Sequence, residues 1–457
     1  MPLLLDRAER VPTGRDPVGD VRAAARWVGE HALTRAFFEH AARSGELFAR
    51  IDCDPALRAD PYPAYEELRS LGRLVPGRIV SATTDHALTT ALLRHPDVRV
   101  GAGLRELPGP LGALARWGTD PWAAGPIDPP SLLATDGVDH VRMRRLVNRA
   151  FTARQVRAQE DLVTATAERL LDRIERAGAE RTDLVDAYAA QLPVAVIGAI
   201  LGVPERDHRQ LLAWGNSAAS LLDPGLRWGR YRRASSAVRA MHRWVTEHVE
   251  EKRRHPGDDL LSQLALLDGD GDETQLTDLE LRAVALLVLA AGFETTVNLI
   301  SNAVVLLEGH RDQRERALAE PDLWAGVVEE TLRFDPPVQN SLRVVPHDLE
   351  VEGVEIAGGT PVLLFLAAAN RDPAVFDDPQ VFDIARPNAN AHLAFSSGAH
   401  YCLGAALARA EARIALQMLH ERFPDLRVDG SPQRRETRVL RGFERLPVAP
   451  GRVATRA

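Results

Sequence analysis

The chain runs to 457 residues, 45% of them hydrophobic and 26% charged. That is enough apolar material for a large core, and it excludes a disordered or collagen-like chain. The formal charge of -8 argues against a nucleic-acid binder, which neutralises phosphates with a basic surface, and two isolated cysteines, Cys53 and Cys402, exclude a disulfide framework or a paired-cysteine zinc site.

The one lysine, Lys252, follows Glu251 where a phosphate-binding loop needs glycine, so no Walker-type nucleotide site is expected. The longest apolar run, residues 283–293, falls short of the about 20 residues that span a bilayer, and the first residues lack a signal-peptide pattern. These features read as a soluble, cytoplasmic protein with no membrane span.

In chain order, residues 1–50 are expected to form an N-terminal extension, loosely attached, and residues 51–457 a single domain. Residues 108–130, rich in proline and glycine and holding Trp117 and Trp122, read as an ordered lid. An arginine-rich amphipathic helix is expected over 139–151, and further helices over 155–177, 182–202 and 234–254. Residues 227–233 alternate arginines with aromatics; in an acidic chain this reads as a solvated helix start. The aspartates of 268–272 imitate a calcium loop, but Glu273 and Leu279 stand where glycine and glutamate are required, which leaves a solvated turn.

Thr277 and Glu280 form a capping box from which a helix is expected to run to Gly309, about 45 Å long. Alternation predicts strands over 342–356 and 360–368, arranged as hairpins. The fold class is mainly α with small β-sheets.

Two places carry chemistry. In the middle of the long helix, Ala291-Gly292-Phe293-Glu294-Thr295-Thr296 sets a glycine, a carboxylate and two β-branched hydroxyls, of which the glycine and the threonines lower helix stability. There glycine allows close approach to the backbone, threonine can open the ladder and glutamate can relay protons. A kinked core helix with a solvent-facing Glu294 is an equal reading of that segment alone. Further on, residues 395–404 set Cys402 between Gly398 and Gly404, ahead of a strong helix former. The unsatisfied N–H groups and dipole at a helix start favour a thiolate, whereas Cys53, between Asp52 and Asp54, should resist ionisation.

The segment Phe395, Gly398, Cys402, Gly404 resembles the FxxGxxxCxG haem-thiolate signature of the cytochrome P450 family. Ala291, Gly292, Glu294 and Thr295 match its AGxET motif, with Phe293 where many relatives have histidine. Glu330 and Arg333 match its ExxR pair, and Arg386 the third partner. The resemblance implies a cytochrome P450 fold around haem b, with Cys402 as the axial iron ligand and Gly292, Gly398 and Gly404 beside the macrocycle. His140, Arg144, Arg343 and His400 would bind the propionates. Glu330, Arg333 and Arg386 would form a buried structural cluster.

The implied activity is insertion of one oxygen atom from O2 into a C–H bond of a hydrophobic small molecule, with Glu294 and Thr295 relaying protons. The likeness to soluble actinobacterial, including mycobacterial, members implies a separate ferredoxin and ferredoxin reductase, met by Arg142, Arg145, Arg149, Arg409 and Arg413. Substrate-facing segments by the same likeness are the lid and residues 215–233, 286–293, 338–342 and 442–443. A peroxide-using hydroxylase and a haem sensor without turnover are the rival readings; the presence of Glu294 and Thr295 counts against the first.

Overall fold

A computed structural model describes residues 17–100, 124–178, 180–266 and 275–454. Most of the expected lid, with Trp117 and Trp122, and the aspartate-rich turn at 268–272 lie outside the described residues. The described chain is mainly helical with small sheets, and its contacts gather into two compact units.

The first unit draws on residues up to Cys53, Val100–Leu146 and Arg209–Ala291. Its N-terminal part is the helix Pro17–Trp27, a π-turn, and the helices Leu33–Arg43 and Leu47–Cys53. Arg26 is buried and grips both carboxylate oxygens of buried Asp128 at 2.8 Å, while Trp27 Nε1 donates to the Leu226 carbonyl at 2.8 Å. The helix Gly137–Val147 corresponds to the expected arginine-rich element, with residues Asn148–Phe151 tightened into a 3-10 turn. The expected capping box is formed: Thr277 N–H donates to Glu280 Oε2 at 2.9 Å and Glu280 N–H to Thr277 Oγ1 at 3.3 Å.

The second unit comprises Asp54–Arg99, Val147–His208 and Gly292 onward. Four of its helices, Ala153–Ala177, Glu294–Gly309, Trp324–Phe334 and Ala405–Arg422, pack on one another and bury Leu170, Ile300, Trp324 and Leu416. Beside them, Pro361–Leu364 pairs parallel with Ser81–Thr83 and antiparallel with Ser341–Val344, Ser341 standing opposite Leu364. The hairpin Leu349–Val351 with Val354–Ile356 turns through Glu352 and Gly353, both at positive φ, the geometry of a tight two-residue loop.

Three expected elements come out differently. The strand over 360–368 ends at Leu364, because the alanine-rich Leu366–Ala369 closes a helical turn, Asn370 N–H donating to the Leu366 carbonyl. The helix over 182–202 starts as a strand, Thr182–Asp183, held by Pro447–Ala449, and becomes helical only at residue 185. The long helix from 278 to 309 is broken at Phe293, whose φ of -107° separates Asp278–Gly292 from Glu294–Gly309. By length and composition the whole stretch is the one described helix that could cross a membrane, and 78% of its apolar window is buried inside the protein.

Candidate functional site

Cys402 lies three residues ahead of the helix Ala405–Arg422, in a loop pinned at both ends. Its N–H donates to the Phe395 carbonyl at 2.9 Å, and Tyr401 N–H donates to the Gly398 carbonyl at 3.1 Å. Gly398 is required here. Its φ is +68°, and a Cβ would lie 2.6 Å from the Leu93 carbonyl oxygen. At Gly404 a Cβ would meet no heavy atom within 4 Å, so the space beside the thiol loop is open. Neither cysteine is in a disulfide, and Cys53 closes the short helix Leu47–Cys53.

The break at Phe293 presents the second candidate group. Glu294, 1% exposed, opens the following helix and faces Arg435, with Oε1 and Nε 2.9 Å apart. This ion pair is close but off the line of a directed hydrogen bond, and both carboxylate oxygens lack hydrogen-bond partners. Burial pushes the Glu294 carboxyl above the usual carboxylate range, and the Arg435 charge offsets only part of that. The solvent-facing Glu294 of the bland reading is therefore not what the chain builds. Thr295 follows it, half-buried. The close approach that Gly292 permits is that of Ile197, whose Cδ1 would lie 2.6 Å from an added Cβ.

Glu330, Arg333 and Arg386 come together. Arg333 Nε and Nη2 each donate to a Glu330 oxygen at 2.7 Å, Arg386 Nε at 3.3 Å and Asp383 N–H at 2.9 Å, with the Glu330 and Arg333 side chains wholly buried. The remaining guanidinium protons bond to carbonyls of Asn370, Pro379 and Val381. In the same unit, buried Arg343 lies on the strand Ser341–Val344, its Nη1 donating to Ser341 Oγ at 2.7 Å, and His400 ends the 3-10 turn before Cys402. His140 and Arg144 stand one turn apart on Gly137–Val147 in the other unit, His140 buried.

Several of the arginines expected to meet an acidic partner make ion pairs within the chain. Arg142 pairs with Glu280, Arg409 is clamped by Glu329 at 2.6 Å and lies 4.5 Å over the Phe395 ring, and Arg413 is 3.5 Å from Glu160. Burial pushes Glu329 up, but His392 and Arg409 hold it down to about 2, so the Arg409 clamp stays charged on both sides. Arg145 and Arg149 are exposed.

The family model for cytochrome P450 matches residues 121–442. The chain belongs to the cytochrome P450 family. Cytochrome P450 140 of Mycobacterium tuberculosis is 48% identical over 93% of this chain and 97% of its own length. The monooxygenase PikC of Streptomyces venezuelae is 37% identical over 85% of this chain and 91% of its own. Among solved structures, ligand-free CYP164A2 of Mycobacterium smegmatis aligns with a TM-score of 0.78 at 35% identity, covering 88% of this chain and 99% of that one.

Cytochromes P450 are monooxygenases that use O2 on hydrophobic substrates and carry haem b on a cysteine thiolate. The residues present fit that group. A cysteine just ahead of a helix start, with no side-chain bulk at the neighbouring Gly404, offers one soft anionic ligand to iron. Arg343 and His400 offer donors for acidic substituents.

Sequence reasoning missed a second set of polar residues. Asp335, buried, accepts from Tyr62 Oη at 2.7 Å, Arg441 Nε at 2.7 Å and Arg434 Nη2 at 3.4 Å. Burial alone would raise this carboxyl, but the Arg441 and Arg434 charges hold it below its ordinary value. Arg371 lies between the Tyr62 and Phe334 rings, 3.5 and 3.6 Å from their centroids. These groups line a cavity of about 580 Å³ that also reaches Leu306. Asn298 and Asn302 of the Glu294 helix are buried nearby in sequence, and a buried polar atom without a partner costs about 1–3 kcal/mol.

Proposed function

We propose that this cytochrome P450 hydroxylates a C–H bond of a hydrophobic small molecule, drawing electrons from a separate ferredoxin and its reductase, with Glu294 and Thr295 delivering protons. The observation that carries this reading is the buried Glu294 at the start of a helix, its carboxyl raised by burial, directly before Thr295 in the chain.

Haem b, when bound, supplies oxygen activation, and the thiolate's electron donation favours O–O cleavage. Cys402 would hold its iron, oriented by the N–H bond to Phe395, while the dipole of Ala405–Arg422 favours the thiolate over the thiol. Arg343, His400, His140 and Arg144 would take the propionates, whose charges need cationic partners in an interior. Of the three glycines expected beside the ring, Gly404 is the one at which an added Cβ would meet open space, whereas Gly292 and Gly398 admit Ile197 and the Leu93 carbonyl. The Glu330, Arg333 and Arg386 cluster ties the loop at 377–386 to the helix Trp324–Phe334.

Proton delivery is argued from Glu294. A carboxyl raised by burial keeps its proton nearer neutral pH than an exposed one, as a general acid must, and Arg435 receives the anion once the proton leaves. Thr295, the next residue, would pass that proton on through its hydroxyl. Arg149, exposed in an acidic chain, would meet an acidic electron-transfer partner, an association that weakens with salt. For the substrate class, one solved relative binds a hexadec-9Z-enoic acid ligated acyl carrier protein and another testosterone, which supports a large apolar substrate here.

Two measurements test the reading. Cys402→Ser removes the red-shifted Soret band of the reduced carbon monoxide complex; an unchanged band refutes the thiolate assignment. A spin-state titration against a library of hydrophobic metabolites finds the ligand class, and a compound that shifts the spin state yet yields no product with NADH, ferredoxin and reductase favours a sensor instead.

A further inference from the structure

Leu226 is buried in the turn before the helix Trp228–Arg254, so its peptide groups lie outside any helical ladder and need other partners. Side chains of the N-terminal helices supply them. Trp27 Nε1 donates to the Leu226 carbonyl at 2.8 Å, joined by Arg35 Nη1 at 3.5 Å, and the Leu226 N–H donates to His31 Nδ1 at 3.3 Å. Burial pushes His31 down to about 4, which keeps that nitrogen unprotonated and able to accept. The rings add contact: Trp27 meets Trp228 edge-on with centroids 5.5 Å apart, and His31 lies 5.0 Å from Tyr231.

The same helix grips a second stretch. Arg26 Nη2 donates to both oxygens of Asp128 at 2.8 Å, and its Nε donates to Glu30 at 2.7 Å. Asp128 also accepts from the Gly125 N–H at 2.6 Å, and its carbonyl accepts from the Ser131 N–H at 3.0 Å. The guanidinium therefore fixes the turn 125–131 through its central carboxylate, and losing it would strand a buried charge. Next to these contacts Val28, Ile127 and Trp228 are exposed, so a hydrophobic molecule arriving there meets apolar surface.

We propose that residues 26–35 are a strap across the substrate entrance: by holding 124–131 and 221–231 in one arrangement they set how fast a hydrophobic molecule enters and leaves, with Arg26 and Trp27 as positioning residues. The proposal rests on the family likeness that sets the end of 108–130 and residues 215–233 beside the substrate. For a molecule to pass, these stretches must shift, and each shift breaks a buried bond to the strap, charge-assisted at Asp128 or paired at the Leu226 peptide. A barrier of this kind acts in both directions, so it changes entry and exit rates together and leaves their ratio nearly unchanged. Residues 17–53 are then a working part of the domain.

Stopped-flow mixing of the haem-bound protein tests this without turnover. The probe is 4-phenylimidazole, an apolar ligand that shifts the Soret band on reaching iron, and cyanide is the small control. Trp27→Phe, which keeps a ring but loses the bond to Leu226, and Arg26→Leu should each raise both the entry and exit rates of 4-phenylimidazole about threefold or more, with its dissociation constant within about twofold and cyanide rates unchanged. Arg26→Lys should restore part of the wild-type rates. Amide hydrogen exchange is the second readout: it should quicken in 124–131 and 221–231 and stay unchanged in Ala405–Arg422. Wild-type rates for 4-phenylimidazole in both variants overturn the proposal, as do rates that rise equally for cyanide, which mark general loosening. Trp27→Phe decides the matter should Arg26→Leu fail to fold. Quicker amide exchange with unchanged ligand rates refutes the reading of these stretches as the entrance, whereas unchanged amide exchange refutes the strap itself.

Discussion

Glu330→Gln isolates the consequence of burial for an ion pair. The substitution keeps size and one carbonyl acceptor but removes the negative charge facing two guanidiniums, of Arg333 and Arg386, whose side chains are 0% and 7% exposed. Besides that one amide oxygen, Arg333 retains only neutral backbone carbonyls as hydrogen-bond partners. Were this pair at the surface, the loss would be about 1 kcal/mol or less. Breaking a buried pair so that a charge stays uncompensated costs about 3–5 kcal/mol, and that is the expected loss here. The assay is urea unfolding of the haem-bound protein followed by far-ultraviolet circular dichroism. Arg181→Ala serves as the control, because its pair with Asp429 is 2.9 Å long but 57% and 37% exposed; it should cost under about 1 kcal/mol. A Glu330→Gln protein as stable as that control would refute the assignment of a buried, charge-dependent cluster.

Thr295→Ala should divert reducing equivalents to hydrogen peroxide; unchanged product per NADH rules out the relay. Gly398→Ala should lose about 2 kcal/mol or more, from positive φ combined with a 2.6 Å contact to the Leu93 carbonyl oxygen, and thermal unfolding at the wild-type temperature would contradict this. Glu411, 1% exposed on the Ala405–Arg422 helix, is raised by burial from 4.5 to about 8. The folded state therefore keeps a proton that the unfolded state releases above 4.5, and stability falls with rising pH until about 8, by about 3 kcal/mol between pH 4.5 and 7. Glu411→Gln should flatten this slope in unfolding measured across that range; an unchanged slope disproves its source.

What can be read from the sequence alone is what neighbouring residues decide. The Thr277 and Glu280 capping box forms because both partners lie within one turn, and the Leu349–Ile356 hairpin forms because alternation and a tight turn agree. Glu330 and Arg333 meet because three residues along a helix put them on one face. The pairing of Arg386 with them is visible only through family likeness, since it comes from a separate loop. Where tertiary bonds outweigh local pattern, the reading fails. The run of alanines after Leu364 coils because Ala367 N–H is taken by the Gln339 carbonyl, and Thr182–Asp183 extends because Pro447–Ala449 lies alongside.

The Phe293 break shows both cases within a few residues. Local chemistry marks the spot, with Gly292, Thr295 and Thr296 all weakening the helix. It does not reveal that Ile197 fills the space at Gly292, or that Arg435 and Gly442 return to cover Glu294 and Asn298. A buried carboxylate reads in sequence like an exposed one, because its proton affinity is set by what surrounds it. Here that surrounding is supplied by a segment with no periodic or motif signal of its own. Arg435 and Gly442 therefore come to light only through their contacts: one lies beside the Glu294 carboxyl, the other lacks the side chain that would collide with the Asn298 amide.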